Sequence, residues 1–138
     1  MRFMILVKAT EESEVGVMPT AQLLADMGRY NQELVKAGVL LARECLHPSS
    51  EGVRIRFSGK ERTVIDGPFE ETNELVAGFW LVQVRSKDEV LEWARRCPNP
   101  MPGGSEIEVR QCVEPDDFGD ALTGKLRTQE ERRRNGRT

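Results

Sequence analysis

The sequence has few of the residues from which metal sites and disulfide frameworks are built. It holds one histidine, His47, and three cysteines, Cys45, Cys97 and Cys112, without a Cys-x-x-Cys pair. An odd number of widely spaced cysteines is not typical of a disulfide framework, and a single histidine makes a zinc site improbable. We therefore expect no metal, and we expect three free and mostly buried thiols.

Long apolar runs and glycine-rich phosphate loops are also missing from the 138 residues. No run approaches the roughly 20 apolar residues that a membrane-spanning helix needs. The apolar start is too short for a signal peptide, and Lys8 interrupts it. A nucleotide or dinucleotide cofactor would leave a glycine-rich loop. We predict a cytoplasmic protein with one domain, residues 1–120, and a charged helical tail, residues 121–138, with neither cofactor nor membrane partner.

Charge is distributed unevenly along the chain. Residues 124–138 carry six basic and two acidic side chains, which leaves −7 for the rest of a chain whose net charge is −3. An acidic body disfavours nucleic-acid binding by the domain, so we expect no nucleic-acid partner. We interpret the basic tail as an amphipathic arm that reaches a second protomer rather than as a nucleic-acid contact.

Hydrophobic periodicity predicts two β-α-β units joined by a hairpin, which is the order of a ferredoxin-like α+β sheet. Thr20 is a candidate cap for the first helix, and Ser86 with Glu89 forms a capping box for the second. The predicted elements are strand 2–8, helix 20–37, strand 39–45, hairpin strands 53–57 and 62–66, strand 75–85, a helix from residue 86 and strand 107–113.

Burial is predicted from the same patterns. Strands 2–8 and 75–85 are apolar on both alternating sets of residues, which is typical of strands covered on both faces. Two helices can cover only one face, so we predict a homodimer whose sheets face each other and leave a cavity between or beside them. Strand 53–57 alternates with arginines and is predicted to be half-buried. The apolar stripe of the first helix is Leu23, Met27, Tyr30 and Leu34, with Leu24 beside it and Gly28 expected at a close helix–sheet contact.

The run Asp66-Gly67-Pro68-Phe69 follows a predicted strand. Pro68 has no N–H and fixes its own φ, so a regular ladder cannot continue through it. In one interpretation Asp66 accepts hydrogen bonds from backbone N–H groups of the turn, and Phe69 fills the core. In the other, Asp66 points into a pocket as a base or hydrogen-bond acceptor. The two roles can coexist.

This motif, in the frame VIDGPFEETNE (residues 64–74) and followed by AGFW (residues 77–80), resembles the DGPF branch of the YciI-related, or YCII, proteins. The opening MRFMILVKA and the runs EWARRCP (residues 92–98) and EIEVR (residues 106–110) fit the same family. The resemblance covers about residues 1–120. It implies a ferredoxin-like domain paired as a dimeric α+β barrel, and it implies no established activity.

The resemblance carries over only part of a catalytic pair. The YciI side of the superfamily is associated with a His/Asp pair whose histidine lies on the first helix. Here that helix carries Arg29-Tyr30-Asn31 and no histidine, so only Asp66 is matched by its motif. His47 lies at the end of a different strand, where Asp66 could orient one of its ring nitrogens if the two strand ends converge. The alternative is an exposed loop histidine.

Two functions remain open for an unknown small molecule. The first is a cofactor-independent enzyme for proton transfer, isomerisation or elimination in a mostly apolar pocket, with Asp66 as base, His47 as proton carrier and Tyr30 as polariser. The second is a non-catalytic ligand-binding or regulatory homodimer, since proteins of the DGPF branch are often encoded beside extracytoplasmic-function sigma factors. Each of these candidates also has a structural interpretation. Tyr30, Phe69, Phe79 and Trp80 would pack in the core, and Arg54 would lie on the solvent-exposed face of its strand. The candidate pocket-lining residues are Phe69, Phe79, Trp80 and Arg54.

Overall fold

The computed structural model describes residues 1–70, 72–121 and 124–136. In that part of the chain the strands are β1 (Arg2–Lys8), β2 (Leu40–Cys45), β3 (Val53–Ser58), β4 (Glu61–Asp66), β5 (Val76–Gln83) and β6 (Ile107–Gln111). The α-helices are α1 (Glu11–Glu14), α2 (Ala21–Lys36), α3 (Lys87–Arg96) and α4 (Gly124–Gly136). Short 3-10 turns lie at Ser49–Glu51, Thr72–Glu74 and Pro115–Ala121.

Four of the strands form one sheet in the order β2-β5-β1-β6, and every neighbouring pair is antiparallel. In the middle of this sheet Ile5 of β1 lies opposite Trp80 of β5 and Val109 of β6. Residues that lie opposite each other project to the same face of a sheet. The predicted α+β class is therefore confirmed, with antiparallel sheets and separate helices.

The core lies between one face of the four-stranded sheet and the helices α2 and α3. Residues of β1 alternate between buried and half-buried positions, and Phe3, Ile5 and Val7 are the buried ones. Full burial of a side chain such as that of Ile5 contributes roughly 1.5–3 kcal/mol. The buried cluster comprises Phe3, Ile5, Val7, Tyr30, Leu34, Val39, Trp80, Val82, Val84 and Val90.

The helices α2 and α3 begin at the residues that the sequence predicts. The Thr20 hydroxyl accepts a hydrogen bond from the Leu23 N–H at 3.1 Å, and the Ser86 hydroxyl accepts one from the Glu89 N–H at 3.1 Å. These bonds satisfy N–H groups that have no partner within the helix. The Glu89 carboxylate in turn accepts from the N–H of Arg85, one residue before the cap. After α2 the chain turns at Gly38, whose φ of 72° favours glycine.

The second face of the four-stranded sheet carries Met4 and Leu6 of β1 opposite Leu81 and Phe79 of β5. All four side chains are half-buried, and none belongs to the core cluster on the other face. We call this surface the open face. The central strands β1 and β5 are thus apolar on both of their faces, as predicted. The helices α2 and α3 pack on the face opposite to the open face.

The strands β3 and β4 form a separate two-stranded sheet, which we call the hairpin arm. Its register runs from Val53 opposite Asp66 to Ser58 opposite Glu61. The prediction of a half-buried strand is wrong, because every residue of β3 is exposed, Phe57 by 69%. Apolar alternation indicates that a strand has an apolar face. Among the residues that the structure describes, β3 pairs only with β4, and this sheet has no further strand.

Leu24, which lies beside the stripe that faces the sheet, is 59% exposed. Two other burial predictions are wrong. A methyl group added at Gly28 would meet no atom within 4 Å, so this glycine serves no close contact. Cys45 is exposed because it ends β2, an edge strand, whereas Cys97 and Cys112 are partly buried, and all three thiols are free as expected.

The tail contains the helix α4, which is not amphipathic, so the interpretation of the tail as an amphipathic arm is wrong in this respect. Leu126 is its only large apolar residue and is 47% exposed. The Arg134 guanidinium donates to the Val113 carbonyl at 2.6 Å and pairs with Glu114, so the helix contacts the segment that follows β6. Within the described ranges, no helix has the length and apolar character needed to cross a membrane.

Candidate functional site

Several loops meet at one end of the four-stranded sheet, which we call the loop end. The strands β1 and β2 end there. The strands β5 and β6 begin there, because they pair with β1 and β2 in the antiparallel direction. Backbone hydrogen bonds extend the pairing beyond the strands, from Ala9 N–H to the Leu75 carbonyl at 2.8 Å and from Leu46 N–H to the Ala77 carbonyl at 2.8 Å. The loops carrying α1, His47 and the run 66–74 all leave from this end.

The turn at residues 66–69 is held from outside by the segment 49–52. The Gly67 N–H donates to the Gly52 carbonyl at 2.9 Å, and the Phe69 N–H donates to the Ser49 hydroxyl at 2.9 Å. A Cβ at position 67 would lie 1.8 Å from the Ser49 carbonyl oxygen, which is a backbone atom. Only glycine permits so close an approach. The turn is therefore fixed by contacts from an earlier part of the chain.

Ser49 joins this turn to the helix α1. Its N–H donates to Glu14 Oε2 at 2.9 Å, and its hydroxyl donates to the other carboxylate oxygen of Glu14. The same hydroxyl accepts from the Phe69 N–H, so one serine connects α1, the segment 49–52 and the turn. We call Glu14, Ser49 and Phe69 the Ser49 network. Sequence reasoning missed Glu14 and Ser49, because contacts over 35 and 20 positions leave no local pattern.

Among the described residues, no contact joins the side chains of Asp66 and His47, although Ser49 and Gly52, which follow His47 in the chain, bond to the turn after Asp66. Asp66 is the exposed last residue of β4, and among the described residues its carboxylate has no hydrogen-bond partner. The interpretation in which Asp66 accepts from the turn's own N–H groups is wrong, since those of Gly67 and Phe69 have other acceptors. His47 is 83% exposed, and its Nδ1 lies 3.4 Å from Glu51 Oε2.

Tyr30 lies on the helix-covered side of the sheet. Its hydroxyl donates to the Trp93 carbonyl at 2.7 Å, and its ring meets that of Trp80 edge to face, with centroids 5.5 Å apart. Burial, together with the nearby Cys97, raises the pKa of Tyr30 well above its ordinary value. The Trp80 indole N–H donates to Asn31 Oδ1 at 2.8 Å. These are the contacts of core residues, the alternative that the helical spacing favours.

The remaining candidates lie on different surfaces. Phe79 lies on the open face, opposite in direction to Trp80. The guanidinium of Arg54 lies 3.8 Å from the centroid of the Phe69 ring, a cation–π contact that connects the hairpin arm to the turn. Arg54 and Phe69, both predicted to line a pocket, are therefore in contact with each other.

A cavity of about 670 Å³ lies at the loop end. Five glutamates and one lysine contribute to its wall, and Lys8 Nζ is 3.8 Å from Glu108 Oε1. This acid-lined cavity differs from the mostly apolar pocket that the sequence predicts, and Asp66 and His47 are not part of its wall. Its lining residues are Lys8, Ala9, Thr10, Glu11, Glu12, Thr72, Glu74, Gly104, Ser105, Glu106 and Glu108.

A smaller cavity of about 300 Å³ lies between the end of α3 and the start of β6 and includes Cys97. Burial raises the pKa of the Cys97 thiol to about 11, so this thiol is protonated at neutral pH and is a poor nucleophile. Within the part of the chain that the structure describes, no three side chains of His, Cys, Asp or Glu form a group that could hold a metal ion.

Comparison with known proteins places this geometry in a family. An uncharacterized protein of Rhizobium meliloti (strain 1021) is 36% identical over 89 residues, which cover 64% of this chain and 72% of that protein. The YCII-related domain matches residues 1–113, which include β1 to β6, the Ser49 network and the turn at residues 66–69. The chain therefore belongs to the YCII-related family.

Proposed function

We propose that the protein is a cytoplasmic homodimer that binds a small molecule near the turn at residues 66–69 and transfers a proton with Asp66. The observation that carries this proposal concerns the Asp66 carboxylate, which is exposed and has no hydrogen-bond partner among the described residues. It adjoins a turn that Ser49 and Gly52 hold in place. A catalytic group works best when its surroundings fix its position before the ligand arrives.

The homodimer follows from the open face. The four half-buried apolar side chains of the open face form a contiguous patch, because they pair directly across β1 and β5. Contiguous apolar patches mark association sites. The strand order β2-β5-β1-β6, with two helices on the other face, supports a ferredoxin-like domain of the DGPF branch that pairs as a dimeric α+β barrel.

In the proposed mechanism Asp66 removes a proton from the bound molecule and His47 carries it. Glu51 lies beside Nδ1 of His47 and fixes that side of the ring, which leaves Nε2 for the ligand. The reaction class is proton transfer, isomerisation or elimination, which needs no cofactor. Tyr30 has no part in the proposal, because its buried hydroxyl donates to the Trp93 carbonyl.

A second candidate function is non-catalytic ligand binding in a regulatory dimer, as the resemblance to proteins encoded beside sigma factors suggests. The observation in its favour is that the acid-lined cavity contains neither Asp66 nor His47. A ligand in that cavity would meet carboxylates and one ammonium group, which suit a cationic or polyhydroxylated molecule. It would bind without contacting the proposed acid–base pair.

The test begins with the small molecule that the purified protein retains, identified by native mass spectrometry. Exchange of its carbon-bound protons with D₂O is then followed by NMR. We expect Asp66→Asn to slow this exchange at least about 100-fold, the usual contribution of a general base, and His47→Ala to slow it as well. Asp88→Asn, a change at an exposed aspartate on α3, is the matched control. Full exchange in both test variants would disprove acid–base chemistry, and altered affinity without any exchange supports the second candidate.

Dimer formation is tested separately by analytical ultracentrifugation. Leu6→Glu places a charge on the open face and should convert the dimer to a monomer. Val35→Glu, at a position on α2 that is 62% exposed, should leave the dimer intact. A wild-type chain that stays monomeric at micromolar concentrations would overturn the proposed dimer.

A further inference from the structure

The hairpin arm has an apolar face that its own protomer does not cover. Val53, Ile55 and Phe57 project to the same side because they alternate along β3, and Val64 joins them because it pairs with Ile55. Their exposed fractions are 56%, 44%, 69% and 63%. A two-stranded hairpin is only marginally stable by itself in water and usually needs a surface to pack against.

The direction of this apolar face follows from the other side of the arm. Arg54 belongs to the opposite face, and its guanidinium stacks on Phe69 of the same protomer. The two faces of a strand pair point in opposite directions. The apolar face is therefore directed away from the contact that anchors the arm, and it also carries Asp66, which pairs with Val53.

The charge of the arm is complementary to the loop end of the body. Residues 53–66 carry four basic and two acidic side chains, so the arm has a charge of +2 in a chain of −3. Lys60 lies in the turn at the tip, and Arg62 stacks on Phe57 nearby, 4.6 Å from the ring centroid. The acid-lined cavity offers five glutamates against one lysine. A strand of six residues spans about 20 Å, which is enough to reach a neighbouring protomer.

We propose that the hairpin arm of one protomer docks on a second copy of this chain, with its basic tip at the acid-lined cavity and its apolar face against that copy. Two-fold symmetry then makes the contact reciprocal, so each protomer gives an arm and receives one. The docked face includes Asp66, so the second copy completes the surroundings of the proposed base. This inference rests on the proposed homodimer and specifies what the second copy contributes.

Photo-cross-linking tests the contact directly. Benzoylphenylalanine replaces Phe57, and ¹⁵N-labelled and unlabelled chains are mixed before irradiation. We expect mixed-isotope cross-links from position 57 to residues 8–12, 72–74 or 104–108. The same probe at Val35, which is exposed on α2, is the control and should give none of these cross-links. If both peptides of every cross-link are labelled, or both are unlabelled, the contact lies within one chain and the proposal is overturned. An arm that cross-links only to added nucleic acid or acidic peptide would overturn it as well.

Charge reversal provides an independent measure. Lys60→Glu with Arg62→Glu reverses the tip, and Glu11→Lys with Glu12→Lys reverses part of the cavity wall. Each pair of changes should weaken dimerisation about tenfold or more, and the combination should recover most of the loss. Lys87→Glu, on α3, is the control. A dimer that Leu6→Glu abolishes but that tip reversal leaves unchanged would disprove the docked arm while leaving the proposed dimer standing.

Discussion

Ile5 and Ile55 are the same residue type in two strands of similar length, yet they have opposite environments. Ile5 is fully buried in β1, between the four-stranded sheet and the helices, whereas Ile55 in β3 is 44% exposed. β1 is apolar on both of its alternating sets of residues and β3 on only one, but each pattern predicts a buried face for its isoleucine. The difference arises because two helices pack on the sheet that contains β1, while in the described part of the chain β3 pairs with β4 alone. Burial therefore depends on the number of layers, which a strand's own pattern does not contain.

The two regions also differ in what holds them in place. The body is stabilised by a contiguous apolar cluster of ten buried side chains. The base of the hairpin arm is held by polar contacts, namely the Ser49 network and the bond from Gly67 N–H to the Gly52 carbonyl. A region of the second kind opens at a lower free energy than the global unfolding of the chain.

The matched substitutions Ile5→Ala and Ile55→Ala measure the difference between the regions directly. Ile5→Ala should lower the free energy of unfolding by about 2–5 kcal/mol, because it leaves a cavity in the core. Ile55→Ala should cost less than about 1 kcal/mol within a protomer. Urea denaturation followed by the fluorescence of Trp80 and Trp93 gives both values. Equal losses at low protein concentration would show that the arm is packed within its own protomer, and any extra loss at Ile55 should grow with concentration.

Gly67→Ala is expected to have the next largest effect. The added methyl group would overlap the Ser49 carbonyl oxygen, and relief of that overlap moves the turn at residues 66–69. Such overpacking costs about 1–3 kcal/mol. Gly28→Ala is the matched control, because a methyl group there meets no atom within 4 Å and alanine favours the helix by up to about 1 kcal/mol. Thermal unfolding of both variants checks this prediction, and a neutral Gly67→Ala would refute the close contact.

Much of the body could be predicted because its signals are local. The caps Thr20 and Ser86 and the glycine after α2 lie within a few residues of the ends they define. The two-sided apolar pattern of β1 likewise predicts both the core and the open face. Such signals need no knowledge of the rest of the chain.

The site could be predicted only in part, because its contacts join distant segments. Asp66 and the turn that follows it were visible as a proline-interrupted strand end. The Glu14–Ser49 pair was not, since serines and acidic residues are common in the sequence and only the fold brings these two together. The exposure of the arm was missed for the same reason, because it depends on which surfaces lack a partner. The acidic character of the cavity was missed because its wall is assembled from three distant segments, residues 8–12, 72–74 and 104–108.

Ser49→Ala tests whether polar contacts hold the base of the arm. It removes the hydroxyl that donates to Glu14 and accepts from Phe69, and it should lower the free energy of unfolding by about 1–2 kcal/mol. Ser50→Ala, at the exposed neighbouring position, is the control and should have almost no effect. Hydrogen exchange at the Phe69 amide should accelerate in the first variant alone. Unchanged protection of that amide would show that the turn is held by other contacts.

The smallest expected effect concerns the body at high pH. Burial raises the pKa of the Cys97 thiol from 9.0 to about 11, so between these values the unfolded chain releases a proton that the folded chain retains. Stability is therefore fully present below pH 9 and falls as the pH rises towards 11, by about 1 kcal/mol for this partly buried group. Tyr30 acts in the same direction, because burial raises its pKa as well. Urea denaturation at pH 7 and pH 10 should show a smaller difference in Cys97→Ser than in the wild type, and an identical difference would remove the thiol from the explanation.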